Sequence, residues 1–333
     1  MELQAIEITG RRPGPHLLIT GGVHGDEFEP MVAIRRLTKA VSPDSLAGRL
    51  TLIPVVNEAA FARGTRAAED NLDLARTCPG RMDGSVTERT AAALSTRIRS
   101  ADYYIDLHTG GTRLAVWPLA GYMLHPDENV LQKQRAMARD FNLPVVWGTD
   151  YRLEGRSLSV ARDARVPAIY CEFWGGGRCD PEGIEAYVAG CRNVMIGLQM
   201  LDGTRAESRV VHEVEDPREG AGHMQVCNPS PVDGYFEPSV SLGCQVSPGD
   251  LLGTVCDPKG GELHEMRCQV AGIVIERLFT EGSNVRQGQA LYQIDPRPYA
   301  ATHDQAQAAL ANAQAVVESN RLKAERFRAL VAS

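Results

Sequence analysis

The sequence predicts an α/β fold with a mixed, mostly parallel sheet flanked by helices, followed by a small β domain and a long C-terminal helix. Three patterns lead to this prediction. Strands alternate with helices over residues 1–202, as in proteins with a parallel core sheet. An internal repeat fills residues 226–295, and a heptad pattern fills residues 296–333. Residues 203–225, between the first part and the repeat, are predicted to form a linker, because the chain from Asp216 to Pro231 is rich in Pro, Gly and charge.

In the first part, short apolar runs that end at turn residues predict strands, and apolar residues at helical spacing predict helices. Pro54 indicates that its strand is an edge strand or is irregular. Pro181 suits the first turn of the last helix. The predicted strands are residues 16–20, 50–56, 103–107 and 168–174, and the predicted helices are residues 30–40, 87–98, 127–141 and 181–201.

The repeat consists of two similar segments about 39 residues apart. Glycine, valine, glycine and leucine recur at matching offsets in both copies, which predicts two β-hairpin units that form a quasi-symmetric β-sandwich. The first copy contains Gly234, Gly243, Val246, Gly249 and Leu252, and the second contains Gly272, Gly282, Val285, Gly288 and Leu291.

The C-terminal segment steps by alternating four and three residues between positions of a helical seam, which is a heptad pattern. The seam residues are Tyr299, His303, Ala306, Leu310, Ala313, Val317, Asn320, Ala324, Phe327 and Val331. Such a helix has no partner helix within the predicted fold. We therefore expect a homo-oligomer that forms through this helix or through the β domain.

Composition excludes several function classes. The 333 residues carry a net charge of −7, which argues against non-specific binding to nucleic acid or to anionic membranes. Apolar runs are too short to span a membrane, and the N-terminus lacks the features of a secretory signal. The eight cysteines show no CxxC spacing and are expected to be reduced thiols. The predicted location is the cytoplasm.

Two candidate metal-binding segments follow predicted strands. His24 and Glu27 lie in GGVHGDE after the first strand, and His108 follows the strand that contains Asp106. Sites in α/β proteins form where strands end. One zinc ion per chain would find a His₂Glu set here, with a fourth position left for water, and Asp106 could orient an imidazole. Each pair alone is more often structural, so the prediction rests on their joint occurrence.

Four motifs in a fixed order reveal a resemblance. They read GGVHGDE, LDLAR-x-x-PG, IDLHTGG and YCEFWGG, and they begin at residues 21, 72, 105 and 170. Together they resemble the succinylglutamate desuccinylase/aspartoacylase family of the zinc carboxypeptidase clan. The resemblance covers residues 1–200 and extends to about residue 295, because the repeat over residues 226–295 resembles the biotinyl/lipoyl-like β domain appended in this family. It implies a zinc-carboxypeptidase-like fold for the first part of the chain.

The resemblance also implies roles for individual residues. His24, Glu27 and His108 match the family's zinc ligands, and Glu172 matches its catalytic glutamate. A carboxylate in that position takes a proton from water and passes it to the leaving amine.

Two arginines complete the implied site. Arg66 matches an arginine that polarises the scissile carbonyl, and Arg76 matches one that holds a substrate carboxylate. In the family an asparagine precedes the latter arginine, whereas this chain has Ala75. The departure weakens a desuccinylase or aspartoacylase assignment more than it weakens hydrolysis itself.

These implications predict a zinc-dependent amidohydrolase that removes the acyl group from a small N-acylated amino acid, or cleaves a related ester. Two alternatives stay open. The first is a carboxypeptidase-type peptide hydrolase, and the second is a non-catalytic assembly protein. The second arises because the segment from Ala271 onwards, with IDPRPYAA before an alanine-rich helix, resembles periplasmic adaptor (membrane-fusion) proteins of efflux pumps.

Overall fold

The structure is a computed structural model that describes residues 2–217, 219, 228–268, 272–280 and 283–295. The predicted heptad helix over residues 296–333 lies outside these ranges. Within the described residues, no helix combines the length and the apolar character needed to cross a membrane.

The first part of the chain is a mixed, mostly parallel sheet with helices on both faces. Its strands are β1 (Ile6–Thr9), β2 (Arg12–Thr20), β3 (Ala47–Ile53), β4 (Tyr103–Leu107), β5 (Ala115–Met123), β6 (Val145–Thr149), β7 (Ala168–Gly175) and β8 (His212–Glu215). Its helices are α1 (Phe28–Ala40), α2 (Glu58–Arg63), α3 (Val86–Arg99), α4 (Glu128–Phe141), α5 (Ser157–Asp163) and α6 (Pro181–Gly197). Each strand and helix predicted for this part is present.

The strands lie in the order β1-β3-β2-β4-β7-β5-β6-β8. Only the β1–β3 and β7–β5 pairs of this row are antiparallel. The expectation of an edge strand at Pro54 is wrong, because β3 lies between β1 and β2. The strand instead ends at Ile53, directly before the proline, which has no backbone N–H for the ladder.

Two apolar cores hold the helices against the sheet. On one face α1, α4 and α6 bury side chains such as Leu37, Phe141 and Val194. On the other face α3 and α5 bury Leu94 and Leu158. Burial of one such side chain contributes about 1.5–3 kcal/mol to stability. Helix α3 begins as its sequence dictates, since Ser85 and Glu88 form a reciprocal capping box.

Strands β1, β5, β6 and β8 were not predicted. Strand β5 contains Pro118, and the register with β7 shifts between Val116 and Leu119 so that the ladder accommodates the proline. It also contains Gly121, where a Cβ atom would lie 2.2 Å from the ring of Tyr170. Strand β8 lies within the segment predicted to be a linker and pairs in parallel with β6.

The repeat forms a β-sandwich, as predicted. Its strands are β9 (Asn228–Pro229), β10 (Gly234–Pro238), β11 (Gln245–Val246), β12 (Leu251–Cys256), β13 (Glu262–Arg267), β14 (Gly272–Arg277), β15 (Asn284–Val285) and β16 (Ala290–Asp295). Strands β10, β11 and β12 of the first copy correspond to β14, β15 and β16 of the second. The short strand of each copy pairs with the other copy, β15 with β10 and β11 with β14. Between the sheets lie apolar side chains that include Phe236, Leu252 and Leu291.

The sandwich is joined to the first sheet by backbone pairing, which the sequence did not predict. Strand β14 runs antiparallel to β5, with Glu276 opposite Val116 and Arg277 opposite Ala115. Ile273 and Ile275 of β14 pack in one cluster with Val116 and residues of β6. The pairing brings one edge of the sandwich to the side of the main sheet on which the candidate site lies.

Candidate functional site

The loop after β2 carries His24 and Glu27. Its tight path requires Gly25, because a Cβ atom there would lie 2.1 Å from the carbonyl carbon of Ala60 in α2. Glu27 is the N-cap residue of α1, yet its side chain makes no capping hydrogen bond. The carboxylate is therefore available to other groups, and the positive end of the helix dipole favours its charge.

His108 arrives from the neighbouring strand. It follows β4 directly, and its backbone N–H donates to the carbonyl oxygen of Cys171 in β7 at 2.8 Å. Strands β2 and β4 are parallel neighbours, so their carboxyl ends lie on the same edge of the sheet. Sheet order thus brings together residues that are 81 positions apart.

His24, Glu27 and His108 are all buried, and they lie together in the wall of one pocket. The Nδ1 atom of His24 lies 2.6 Å from Glu27 Oε1, and the Nδ1 atom of His108 lies 3.1 Å from Glu27 Oε2. One ligand atom from each residue falls within 4.8 Å of the others. Burial raises the pKa of Glu27, but the two imidazoles outweigh this effect and hold the pKa well below its usual range.

The outer nitrogen of each imidazole faces an aspartate. His24 Nε2 lies 3.0 Å from Asp73 Oδ1, and His108 Nε2 lies 3.2 Å from Asp106 Oδ2. Carboxylates in this position fix the ring orientation of metal-binding histidines. The sequence predicted this role for Asp106 but not for Asp73. Asp73 belongs to the LDLAR motif, but nothing in the local sequence connects it to a histidine 49 residues earlier.

Asp106 is held rigidly. Its Oδ1 atom accepts a hydrogen bond from the hydroxyl of Thr20 at 2.8 Å, and its Oδ2 atom accepts one from Ser157. Burial raises the pKa of Asp106, but the charge of His108 and these hydrogen bonds outweigh it and lower the pKa. The carboxylate is therefore ionised and suited to hold the imidazole of His108.

The donor set fits a divalent cation such as zinc. Both Nδ1 atoms contact the carboxylate of Glu27, and the other two imidazole nitrogens are engaged by aspartate carboxylates. Two imidazoles and one carboxylate, with a position left over, are the ligands of many catalytic zinc sites.

Glu172 lies in β7, beside the strand that leads to His108. Its Oε2 atom is buried and has no hydrogen-bond partner in the part of the chain that the structure describes. The pKa of Glu172 is raised to about 8, chiefly by burial; the charge of His108 opposes this rise, and the charges of Glu27 and Glu276 contribute to it. A carboxyl group with a pKa near neutrality is suited to both accept and donate a proton.

Arg66 reaches the site from the loop after α2. Its Nε and Nη2 atoms donate to Asp73 Oδ2 at 3.2 and 3.1 Å, and its Nη1 atom lies 3.7 Å from Glu27 Oε1. Asp73 therefore contacts both a histidine and an arginine of the site. This double contact holds the guanidinium beside the cluster of His24, Glu27 and His108.

Arg76 and Arg156 line the same pocket. Arg76 is exposed, whereas Arg156 is half-buried, and its buried Nε and Nη2 atoms have no hydrogen-bond partner among the described residues. Burial, followed by the charge of Arg76, lowers the pKa of Arg156. Sequence analysis missed Arg156, because a lone arginine before a short helix carries no local signal.

Glu276 of β14 also lines this pocket, whose empty volume is about 890 Å³ including its open mouth. The remaining walls are largely apolar and include Val116, Leu119 and Trp147. A pocket with apolar walls and a few charged groups suits a small-molecule ligand.

The burial of Glu276 predicts a pH-dependent cost to stability. Burial raises its pKa from 4.5 to about 7. The folded protein therefore keeps a proton on Glu276 that the unfolded chain releases. As a consequence, the free energy of unfolding is highest below pH 4.5 and falls as the pH rises through 7. Glu276→Gln does not titrate. In metal-free protein we expect the free energy of unfolding of this variant, relative to that of wild type, to increase by about 2 kcal/mol when the pH is raised from 5 to 8.

Urea unfolding at the two pH values measures this difference. Glu237→Gln, which replaces an exposed glutamate on β10, serves as the control and should show the same small change at both. An equal effect of Glu276→Gln at both pH values would contradict the raised pKa.

Comparisons with known proteins agree with this architecture. Residues 13–198 match the family model described as the succinylglutamate desuccinylase/aspartoacylase catalytic domain. A deacetylase of Halomonas elongata, N-alpha-acetyl-L-2,4-diaminobutyric acid deacetylase, is 29% identical over 292 residues, which are 84% of this chain and 82% of the relative. The product-bound structure of the ectoine utilization protein EutE (DoeB) from Ruegeria pomeroyi is 30% identical, with a TM-score of 0.77 over 87% of each chain.

The C-terminal segment has a separate similarity. Residues 262–329 match a model described as the RND MFP barrel-sandwich hybrid domain. Multidrug export protein AcrE of Escherichia coli is 49% identical over 67 residues, which are 20% of this chain and 17% of that protein.

The match to the catalytic-domain model covers more than half of the chain. It includes the histidines, glutamates and arginines that line the pocket within residues 13–198, which are His24, Glu27, Arg66, Arg76, His108, Arg156 and Glu172. The chain is therefore a member of the succinylglutamate desuccinylase/aspartoacylase family, a family of deacylases.

Proposed function

We propose that the chain is a zinc-dependent deacylase that hydrolyses the acyl-amide bond of a small N-acylated amino acid. One observation carries the proposal: the Nδ1 atoms of His24 and His108 converge on Glu27, beside a buried glutamate that has a raised pKa. The relative from Halomonas elongata, which is named a deacetylase of an N-acetylated amino acid, supports the same reaction class.

His24, Glu27 and His108 would hold the zinc ion, with Asp73 and Asp106 orienting the two imidazoles. When bound, zinc supplies Lewis-acid chemistry that makes water a better nucleophile and polarises the acyl carbonyl.

Glu172 performs the proton transfers. Its carboxylate takes a proton from the attacking water as the water oxygen bonds to the acyl carbon, and it donates that proton to the amine nitrogen as the carbon–nitrogen bond breaks. The products are a carboxylate and a free amine. The raised pKa of Glu172 supports this role, because near neutral pH the side chain can then hold the proton between its removal from water and its donation to the amine.

Arg66 stabilises the negative charge that develops on the acyl oxygen. Its fixed position next to Asp73 supports this role, since a preorganised cation needs no rearrangement during the reaction. Arg76 and Arg156 bind the carboxylate of the substrate. The buried nitrogens of Arg156 support this pairing and offer donors that Ala75 lacks.

The clamp can be tested by substitution. In Arg76→Lys and Arg156→Lys the charge is kept but the planar pair of donors is lost. We expect a rise in KM of about 10- to 100-fold for substrates with a free carboxylate, which corresponds to the loss of one charged hydrogen bond. The same variants should behave like wild type on substrates whose carboxylate is amidated. Equal losses on acids and amides would assign both arginines a structural role.

A substrate screen tests the function itself. Protein loaded with zinc is assayed against N-acetyl, N-succinyl and N-formyl amino acids, with matched esters and short peptides alongside. Release of amino acid from an acylated substrate, lost on chelation and restored by zinc, is expected. Cleavage of peptides alone would favour a carboxypeptidase, and tight zinc binding with no hydrolysis, or no zinc binding, would favour the non-catalytic alternative.

A further inference from the structure

Glu276 belongs to the sandwich, yet its carboxylate lines the pocket that contains Glu172. The register between β14 and β16 shifts between Val274 and Glu276. Val274 therefore packs into the core of the sandwich, whereas Glu276 lines the pocket. Such irregularities re-aim side chains next to functional sites. The carboxylate is therefore delivered into the pocket by a local distortion of the strand.

This carboxylate has no cationic partner among the residues that the structure describes. Glu276 is 4% exposed, and its Oε2 atom has no hydrogen-bond partner among the described residues. Within those residues no lysine, arginine or histidine nitrogen is recorded in an ion pair with it, whereas Arg66 is paired with Asp73. A buried carboxylate without a partner is costly, and a positively charged ligand would remove that cost.

The chemistry of the substrate limits where such a positive charge can come from. In an N-acylated amino acid the α-amino nitrogen is part of the amide and carries no charge. The carboxylate is negative and complements Arg76 and Arg156. Only the side chain can then offer a cation. A single unpartnered carboxylate oxygen suits a compact ammonium group better than a planar guanidinium, which favours two parallel hydrogen bonds.

We propose that Glu276 binds the side-chain ammonium of the substrate, so that the enzyme prefers N-acylated diamino acids over acylated amino acids with neutral or acidic side chains. This inference rests on the proposed deacylase function. The apolar walls around the pocket strengthen the attraction, because Val116, Leu119 and Trp147 exclude water from the ion pair. In this arrangement the sandwich sets specificity, while the first part of the chain supplies the reacting groups.

The matched substrates are Nα-acetyl-2,4-diaminobutyrate and Nα-acetylnorvaline, which differ only in a terminal ammonium or methyl group. Wild type should have the higher kcat/KM on the first. Glu276→Gln should lower the ratio of kcat/KM on the diamino substrate to kcat/KM on Nα-acetylnorvaline by about 10- to 100-fold, the loss expected for one charged hydrogen bond. The ratio cancels any change at Glu172, whose pKa Glu276 also raises. Glu276→Asp, which keeps the charge, should restore part of the preference. Glu237→Gln should leave both values unchanged.

A binding experiment separates this inference from the proposed function. Calorimetric titration with free 2,4-diaminobutyrate and free norvaline requires no turnover, and only the first should bind more weakly to Glu276→Gln than to wild type. If neither acylated substrate is hydrolysed, the proposed function fails, and the titration still decides the role of Glu276. Equal losses on both substrates together with equal binding of both amino acids would overturn the inference.

Discussion

Replacement of His108 by alanine is expected to remove the bound zinc and reduce hydrolysis to the background rate. In the proposed site three side chains share the ion, and the remaining pair, His24 and Glu27, would not hold a catalytic metal with comparable affinity. His24→Ala should have the same effect. Metal analysis after gel filtration in metal-free buffer should give about one zinc per chain in wild type and almost none in either variant.

His264→Ala is the matched control, because His264 is exposed on β13 and does not line the pocket. It should keep full zinc and full activity. Circular dichroism of each variant establishes that the fold is retained. If His108→Ala keeps a full complement of zinc while folded, His108 must be removed from the ligand set.

Replacement of Glu172 by glutamine is expected to keep the zinc and lower kcat by about 10²- to 10⁴-fold, the usual contribution of a general base. Glutamine preserves the shape of the side chain but cannot take a proton from water. The rise of kcat/KM with pH, which reports deprotonation of the base in the free enzyme, should disappear in the variant. Glu172→Asp should recover only a small part of the rate, because its carboxylate is displaced by one methylene group.

Glu182→Gln replaces an exposed glutamate in the first turn of α6 and should match wild type in zinc content and rate. Normal turnover in Glu172→Gln would show that another group transfers the proton. Loss of zinc from this variant would instead mean that Glu172 supports the metal cluster.

The local sequence was sufficient wherever one segment contains its own signal. Helix α6 starts at Pro181 and α3 starts after Ser85 because capping residues and apolar spacing act over a few residues. The repeat predicted the sandwich because glycine and valine positions recur at the same offset in both copies. Strand β5 was not predicted, because Pro118 and Gly121 are residues that disfavour a strand. Its irregular ladder forms through pairing with neighbouring strands.

The candidate site divides in the same way. The sequence by itself, through its motifs and a family resemblance, predicted His24, Glu27, His108 and Glu172 as site residues. Only the tertiary structure brought in Asp73, Arg156 and Glu276, whose importance comes from contacts made across the chain. Glu276 reaches the pocket because β14 pairs with β5 of the first sheet. Backbone pairing between distant segments depends on burial and on the position of each strand in the sheet, and neither is encoded in the residues next to Glu276.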